Sequence, residues 1–229
     1  DNLEKGLYII STPIGNLNDI SLRAKNILQN VDFIICENPK HSLKLLNKLG
    51  IKKKLLSLHD YNEYTLIKKI EKYQNNSPIA LISDAGSPLI SDPGFKLVKD
   101  FIKKNIFITS VPGPSSVISS LQLSGLAINN FIFFGFVPKN KTSANLMAQR
   151  ITKLNLTSVF FISGNRLKTF LEFISQNSKN IEIAVCKELT KINEMVFRDN
   201  VKNIIDKIIN NKINLKGEFT LIVGSKENK

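Results

Sequence analysis

The sequence has few of the residues that build metal sites or disulfides. Its only two cysteines, Cys36 and Cys186, lie in apolar runs typical of buried strands, with no Cys-x-x-Cys pair and no clustered histidines. Metal and redox sites need ligands at close and regular spacing, so buried, reduced thiols are the expectation. We therefore expect no metal ion in the functional site.

Long hydrophobic segments are lacking too. The longest apolar runs, such as Phe131–Phe134, are far shorter than the roughly 20 residues that a membrane-spanning helix needs. The N-terminal residues show none of the basic and apolar regions of a signal peptide. With 42% hydrophobic residues in 229, the chain can still bury a substantial core, and we expect a cytoplasmic protein with no membrane partner.

Arginine is scarce, although the chain is strongly basic. Only four of the 32 basic residues are arginines, and the formal net charge is +13. Such a charge favours a polyanionic partner such as RNA or a ribosomal particle. An AT-rich genome also produces lysine-rich proteins, so the charge alone does not separate an RNA-binding surface from a merely solvated one.

Common nucleotide-binding and hydrolase motifs are absent as well. The chain has no Gly-x-x-x-x-Gly-Lys-Ser/Thr loop and no Gly-x-Gly-x-x-Gly after a strand, which argues against the usual ATPase and dinucleotide-binding folds. It also has no Gly-x-Ser-x-Gly nucleophile elbow. A ligand would have to be held by loops of another kind.

Three apolar strands do break into loops rich in glycine, proline and small polar residues. The clearest is Ile79–Ile82, which leads into Ser-Asp-Ala-Gly-Ser-Pro. Asp92 and Pro93 then predict a helix start, since Asp can cap a helix and Pro suits its first position. The strands Leu7–Ser11 and Ile106–Val111 end in similar loops.

These loops predict one ligand-binding edge. Right-handed crossovers place the carboxyl ends of parallel strands on the same side, where open α/β sheets bind ligands. We therefore expect Thr12–Asn16, Ser83–Ser87 and Pro112–Ser116 to meet in space. Any one loop alone is better explained as an ordinary strand-to-helix turn, and it is their repetition that favours a ligand site.

The order of strand and helix patterns predicts two α/β domains. Strands and helices alternate up to Pro114, as in a mostly parallel sheet, whereas the later strands have the spacing of a mixed, mostly antiparallel sheet. We place the domains at 1–114 and 115–229, with a helix over Ser115–Ser124 connecting them and a cleft between them.

Several segments, taken in order, resemble the bacterial ribosomal RNA small-subunit methyltransferase I family. That family belongs to the tetrapyrrole-methylase-like class, class III, of S-adenosylmethionine-dependent methyltransferases. The matching segments cover almost the whole chain: Leu7–Leu17, Ser83–Pro88, Asp92–Gly94, Val111–Ser115, Gly135–Pro138, Lys187–Lys191 and Lys216–Glu218. Their ordered combination is highly specific, although each segment alone is weak.

The resemblance implies an activity, a cofactor and partners. The activity is 2′-O-methylation of a cytidine ribose in the decoding region of 16S rRNA within the small ribosomal subunit. The enzyme is expected to be a homodimer that binds S-adenosylmethionine in the cleft between its two domains. Backbone groups of loops can hold an amino-acid carboxylate and amine, and apolar residues can sandwich adenine. The implied cofactor contacts are Pro13, Ile14, Asp84, Ala85, Gly86, Ser87, Ile90, Ser115, Ser116, Ile162 and Leu189.

A neutral ribose hydroxyl is a poor nucleophile, so a side chain should accept its proton or stabilise the alkoxide. The candidates are Glu37, Lys40, His59 and Asp60, and we hypothesise that Glu37 or the His59–Asp60 pair polarises the hydroxyl. Hydrogen bonding within a turn explains His59 equally well and Asp60 better. Arg166, Lys139 and Lys141 are candidates for holding RNA phosphates.

Two segments depart from the family pattern. The family's Glu-Asp-Thr-Arg-His is here Glu37-Asn38-Pro39-Lys40-His41, without the second acid and the arginine. The family's Tyr-Glu-Ser-x-His-Arg is here Phe161-Ile162-Ser163-Gly164-Asn165-Arg166, without the acid and the histidine. Of the second segment, only Arg166 carries over securely.

Two other functions also fit the sequence. A tetrapyrrole or diphthine-type methyltransferase would share the cofactor site, although Ser87 stands where tetrapyrrole enzymes have the aspartate of Gly-Asp-Pro. A non-catalytic RNA-binding protein of ribosome assembly could retain the same loops without using them. Binding of S-adenosylmethionine separates this last function from the others.

Overall fold

The computed structural model describes residues 3–154 and 156–225, and the chain forms two compact units, Asp1–Ser115 and Ser116–Lys229. The first unit is an open sheet in the order β3-β2-β4-β1-β5, with every pair of neighbours parallel. Its strands are β1 (Gly6–Ile10), β2 (Phe33–Cys36), β3 (Lys54–Ser57), β4 (Pro78–Ile82) and β5 (Phe107–Val111). Its helices are α1 (Leu22–Asn30), α2 (Pro39–Lys48), α3 (Glu63–Gln74) and α4 (Phe95–Lys103).

The central strands of this sheet are buried on both faces, as their continuous apolar sequence indicates. Ile34 and Ala80 pack on one face with Leu28 of α1, whereas Ile35 and its neighbours pack on the other face with α3 and α4. Neighbouring residues of a strand point to opposite faces, so an unbroken apolar run suits this double burial. The loops at the carboxyl ends of the strands are therefore the part of the sheet where a ligand can approach.

The second unit has a mixed sheet in the order β6-β7-β10-β8-β9, in which only β6 and β7 pair in parallel. Its strands are β6 (Phe131–Phe136), β7 (Thr157–Ser163), β8 (Glu182–Lys187), β9 (Met195–Asn200) and β10 (Glu218–Val223). What the sequence predicts is the mixed, mostly antiparallel character of this sheet, and the structure confirms that character and identifies the parallel pair. Its helices are α5 (Ser116–Ser124), α6 (Lys141–Ile151), α7 (Gly164–Asn177) and α8 (Val201–Ile209). Over the described ranges of both units, none of the helices has the length and apolar character needed to cross a bilayer.

Both cysteines are free and buried, as the sequence indicates. Burial is the main reason that the pKa of the Cys186 thiol rises to about 12, and burial also raises the pKa of Cys36. The thiolate is the reactive form of cysteine, so both side chains are inert packing residues near neutral pH.

The start of α4 differs from the prediction. The helix begins at Phe95, so Asp92 is not its cap and Pro93 is not its first residue. Gly94 adopts a φ of +128°, which side chains other than glycine's rarely permit. The helix cannot continue backwards through that residue, and Asp92 remains outside it.

Glu63 supplies the missing cap from another helix. This residue of α3 is buried, and its carboxylate accepts hydrogen bonds from the backbone N–H groups of Gly94 at 2.8 Å and Lys96 at 2.9 Å. A carboxylate at a helix N-terminus satisfies unpaired donors and complements the helix dipole. The N-terminal ends of α3 and α4 are thereby fastened together.

Replacing Glu63 by alanine should lower the free energy of unfolding by about 2–3 kcal/mol, because two backbone donors lose a charged acceptor. Glu71→Ala on the same helix is the control, since it removes only a 3.2 Å ion pair of a 65% exposed side chain with Lys104. That change should cost less than about 0.5 kcal/mol. Urea unfolding measures both, and equal losses would contradict the capping role.

Candidate functional site

The loops after β1, β4 and β5 meet at the carboxyl end of the first sheet. Thr12 and Gly86 exchange two backbone hydrogen bonds, of 2.9 and 3.0 Å, and form an antiparallel bridge. The hydroxyl oxygens of Ser11 and Ser87 lie 3.0 Å apart, and Ser87 Oγ donates to the carbonyl of Pro114 at 3.4 Å. The predicted meeting of the three loops is therefore confirmed.

Gly86 permits this close approach. Its φ is +80°, and a Cβ there would lie 3.2 Å from Cγ2 of Ile14 and 3.7 Å from the carbonyl oxygen of Pro114. The backbone conformation favours glycine, and a Cβ would also crowd the Ile14 side chain. We call these three loops the cradle. They include Pro13, Ile14, Asp84–Ser87 and Ser115.

The chain beyond the cradle contains an unusual backbone segment. Leu89 and Ser91 adopt left-handed φ angles of 72° and 68°, on either side of Ile90. Such angles are uncommon outside glycine and often occur at functional sites. Ile90 is apolar but 46% exposed, so it offers an apolar surface near the cradle.

The carboxylates of Glu37, Asp84 and Asp92 form an acidic group at the same edge of the sheet. Asp84 follows β4 and accepts a 3.2 Å hydrogen bond from the backbone N–H of Asn38, in the loop after β2. Glu37 and Asp92 line one narrow crevice. Among the residues that the structure describes, no set of three or more His, Cys, Asp or Glu side chains is arranged to hold a metal ion.

Burial and repulsion change the proton affinities of this acidic group. Burial first, and then the charges of Glu37 and Asp84, raise the pKa of Asp92 to about 6, while a hydrogen bond from Ser83 acts in the opposite direction. Burial, followed by the charges of Asp84 and Asp60, also raises the pKa of Glu37. Asp92 can therefore exchange a proton near neutral pH, unlike an ordinary aspartate.

Asp92 is the site residue that the sequence analysis missed, because Asp-Pro is a common helix start. The signal that could have identified it is Gly94, which would have been the second residue of the expected helix. A glycine at that position indicates a turn that continues past Asp-Pro, and such a turn leaves the aspartate side chain available.

The other predicted catalytic residues lie on the loops after β2 and β3. His59 and Asp60 are exposed in a turn held by Asn62, whose side chain accepts a 2.8 Å hydrogen bond from the backbone N–H of His59. Lys40 is exposed in the first turn of α2, where the Asn38 side chain caps the helix. These contacts explain the turns structurally, so catalytic roles for Lys40, His59 and Asp60 stay predictions.

In the second unit, Leu189 shares the backbone pattern of Ile90. It lies between Glu188 and Thr190, whose φ angles are 51° and 66°. The Glu188 carboxylate accepts a 2.7 Å hydrogen bond from the backbone N–H of Glu218, and this bond is the main reason that the pKa of Glu188 is lowered. Two of the segments that carry the family resemblance are thus joined around Leu189.

The remaining cofactor predictions in this unit differ in accessibility. Ser116 is the first residue of α5 and is partly exposed. Ile162 is only 3% exposed and packs in the hydrophobic core. A cofactor contact from Ile162 would therefore have to come from its backbone.

The structure gives the predicted phosphate-binding residues different surroundings. The Arg166 guanidinium donates hydrogen bonds to the backbone carbonyls of Val137 and Pro138, and so holds the segment between β6 and α6. Lys139 is exposed on that segment, and Lys141 is exposed as the first residue of α6. Arg166 positions the loop, while phosphate contacts by any of the three residues stay predictions.

Comparison with known proteins identifies the family. The model for Tetrapyrrole (Corrin/Porphyrin) Methylases matches residues 6–205. The chain is 42% identical to "Ribosomal RNA small subunit methyltransferase I" of Rickettsia prowazekii, over 96% of this chain and 79% of that protein. It is 40% identical to the protein of the same name from Hydrogenobaculum sp., over 97% of this chain and 96% of that one.

The fold agrees with this assignment. It matches the solved structure of a cobalamin biosynthetic enzyme, cobalt precorrin-4 methyltransferase, with a TM-score of 0.67 and 17% identity over 96% of this chain and 94% of that chain. The chain therefore belongs to the tetrapyrrole methylase family and, within it, to the group of ribosomal RNA small subunit methyltransferase I proteins.

Proposed function

We propose that this protein transfers a methyl group from S-adenosylmethionine to the 2′-hydroxyl of a cytidine in the decoding region of 16S rRNA, acting as a homodimer on the small ribosomal subunit. The names of relatives that are 42% and 40% identical support rRNA as the substrate. The observation that carries the proposed chemistry is Asp92, a carboxylate with a pKa of about 6 near the cradle.

The residues of the first unit fit this cofactor. S-adenosylmethionine supplies a methyl group on a positively charged sulfur, and the Glu37, Asp84 and Asp92 carboxylates favour a cation nearby. Backbone groups of the cradle, which Gly86 keeps free of a Cβ, can hold an amino-acid carboxylate and amine. Exposed Ile90 offers an apolar surface to adenine. Ser116, Ile162 and Leu189 of the second unit stay predicted cofactor contacts.

Asp92 is the proposed acceptor of the hydroxyl proton. A carboxylate with a pKa of about 6 is mostly ionised at neutral pH and is a stronger base than an ordinary aspartate. Burial first, and then the charges of Glu37 and Asp84, maintain this raised pKa. Glu37, the candidate from the sequence, thus acts by tuning Asp92 and by polarising the hydroxyl in the same crevice.

The rate of methyl transfer should rise with pH through about 6, because only ionised Asp92 accepts a proton. In Glu37→Gln one neighbouring charge is lost, so the pKa of Asp92 falls and the inflection moves to lower pH. Initial rates of tritiated methyl transfer across this pH range measure both curves. An inflection that does not move would show that Glu37 does not tune the titrating group.

The proposed function is tested with small subunits that lack the modification. We expect tritium from S-adenosylmethionine to enter the 16S rRNA, and nucleoside mapping to place it on a cytidine ribose. Label on a base or on another rRNA region would contradict the proposed specificity. Absence of both methyl transfer and calorimetric cofactor binding would support a non-catalytic assembly protein.

A further inference from the structure

The surface of the first unit beside the acidic group carries three exposed aromatic side chains. Tyr61 is 97% exposed, Tyr64 69% and Phe95 70%. Tyr61 lies in the turn after β3, Tyr64 in the first turn of α3, and Phe95 at the start of α4. Exposed aromatic rings at a surface are typical of contact sites, because their burial in a complex removes apolar surface from water.

Two of these rings are held on one fixed surface. The Glu63 carboxylate, adjacent to Tyr64 in sequence, binds the backbone N–H groups on both sides of Phe95. The Lys96 ammonium in turn lies 4.6 Å from the centroid of the Tyr64 ring. A surface whose parts are already fixed loses little conformational entropy when a ligand binds.

Positive charge accompanies the rings. The Lys99 ammonium lies 5.9 Å from the Phe95 ring centroid, and exposed Lys68 follows Tyr64 by one turn of α3. We call Tyr61, Tyr64, Phe95, Lys96 and Lys99 the aromatic platform. It combines planar apolar faces with cations, which is the composition that single-stranded nucleic acids require.

The aromatic platform is continuous with the acidic group. Asp60, which precedes Tyr61, raises the pKa of Glu37 together with the larger effects of burial and of Asp84. Asp92 and Pro93 line the crevice with Glu37, and the chain passes from them through Gly94 directly into Phe95. A nucleotide whose ribose reached Asp92 would therefore have its neighbours over these rings.

We infer that the aromatic platform binds the single-stranded RNA that flanks the target nucleotide, with bases stacked on Tyr64 and Phe95 and phosphates near Lys96 and Lys99. This inference rests on the proposed function and names the part of its substrate that this surface holds. RNA is favoured over a protein partner because each fixed ring has a lysine beside it and the chain carries a net charge of +13.

The test measures binding of a short, fluorescein-labelled single-stranded RNA by fluorescence anisotropy. Tyr64→Leu/Phe95→Leu keeps apolar bulk but removes the planar faces, and should raise Kd at least about tenfold. Tyr64→Phe/Phe95→Tyr keeps the faces, and Kd should stay within about twofold of wild type. Tyr73→Leu is the matched control, because its ring also has a lysine beside it, Lys72 at 5.1 Å, but lies at the other end of α3.

The lysines are tested by salt dependence. Lys96→Gln/Lys99→Gln should reduce the slope of log Kd against log salt concentration by about 1.4, since each phosphate contact to a single strand contributes about 0.7. Lys103→Gln, exposed near the end of α4, should leave the slope unchanged. Thermal unfolding followed by circular dichroism verifies that each variant is folded.

The outcomes separate the two proposals. Unchanged RNA affinity in Tyr64→Leu/Phe95→Leu would overturn the aromatic platform, whether or not wild type is active. If that variant binds RNA normally but no longer methylates subunits, the surface docks a protein and the RNA inference is wrong. If wild type transfers no methyl group, but Tyr64→Leu/Phe95→Leu binds RNA more weakly than wild type, the proposed function fails and the aromatic platform stands.

Discussion

Asp92→Asn should slow methyl transfer at least about 100-fold near neutral pH, because asparagine cannot accept a proton and positioned general bases contribute factors of this size. The substitution nearly preserves shape, so substrate and cofactor affinities should change little. Single-turnover rates with saturating cofactor isolate the transfer step. The control is Asp32→Asn. Asp32 is exposed and precedes β2, at the opposite edge of the sheet, so this substitution should leave the rate unchanged.

The same substitution should stabilise the protein. The pKa of Asp92 is raised from 3.8 to about 6 on folding, so the folded state binds more protons between these values and loses stability as pH rises through that range. Asparagine stays neutral at every pH, so the Glu37 and Asp84 carboxylates do not repel it electrostatically. Above about pH 6 the variant should melt a few degrees higher than wild type, and below about pH 4 the difference should vanish.

Together the two results distinguish a proton acceptor from a structural residue. A slow but more stable variant indicates a carboxylate retained for its chemistry at a cost in stability. A slow and less stable variant would instead show that Asp92 holds the loop in place. A wild-type rate would assign the proton to another group, and Glu37→Gln would then be the next variant to measure.

Gly86→Ala should weaken binding of S-adenosylmethionine at least about tenfold and lower the free energy of unfolding by about 2–3 kcal/mol. The new Cβ would lie 3.2 Å from Cγ2 of Ile14, so the Ile14 side chain would have to shift, and the left-handed backbone at position 86 would be strained. Since both residues belong to the cradle, the change would move groups that hold the ligand. Calorimetric titration and urea unfolding measure the two effects.

Gly50→Ala is the matched control for this change. Gly50 also has a left-handed φ, +71°, but a Cβ there meets no atom within 4 Å. Both substitutions introduce backbone strain of about 1–2 kcal/mol, but only Gly86→Ala also crowds the cradle. If both variants bind the cofactor as wild type does, the cradle does not hold it.

Local sequence was sufficient for the strands and for the meeting of the three loops. Ile79–Ile82 is a continuous apolar run, short and bounded by turn residues as in a strand buried on both faces, so β4 could be placed to within a residue. The loops after β1, β4 and β5 could be brought together because connection handedness puts parallel strand ends on one side.

The start of α4 and the acidic group could not be predicted from local sequence, because both depend on side chains that are distant in sequence. Asp92 looks like a helix cap until Glu63, from another helix, is seen to bind the N-terminus of α4. Burial first, and then the charges of Glu37 and Asp84, raise the pKa of Asp92. Glu37 comes from the loop after β2, and Asp84 lies eight residues earlier in the same loop after β4. Sequence supplies each carboxylate but not the distances between them.

The interior position of β1, between β4 and β5, has a consequence for biosynthesis. β1 is made before the other strands of its sheet, yet both of its partners are translated much later, and β5 follows by about 100 residues. At about 5–20 residues per second, the ribosome leaves this apolar segment incompletely paired for roughly 5–20 s. A nascent chain that stalls before β5 would present β1 to chaperones, and truncations in this interval should aggregate rather than yield a smaller folded domain.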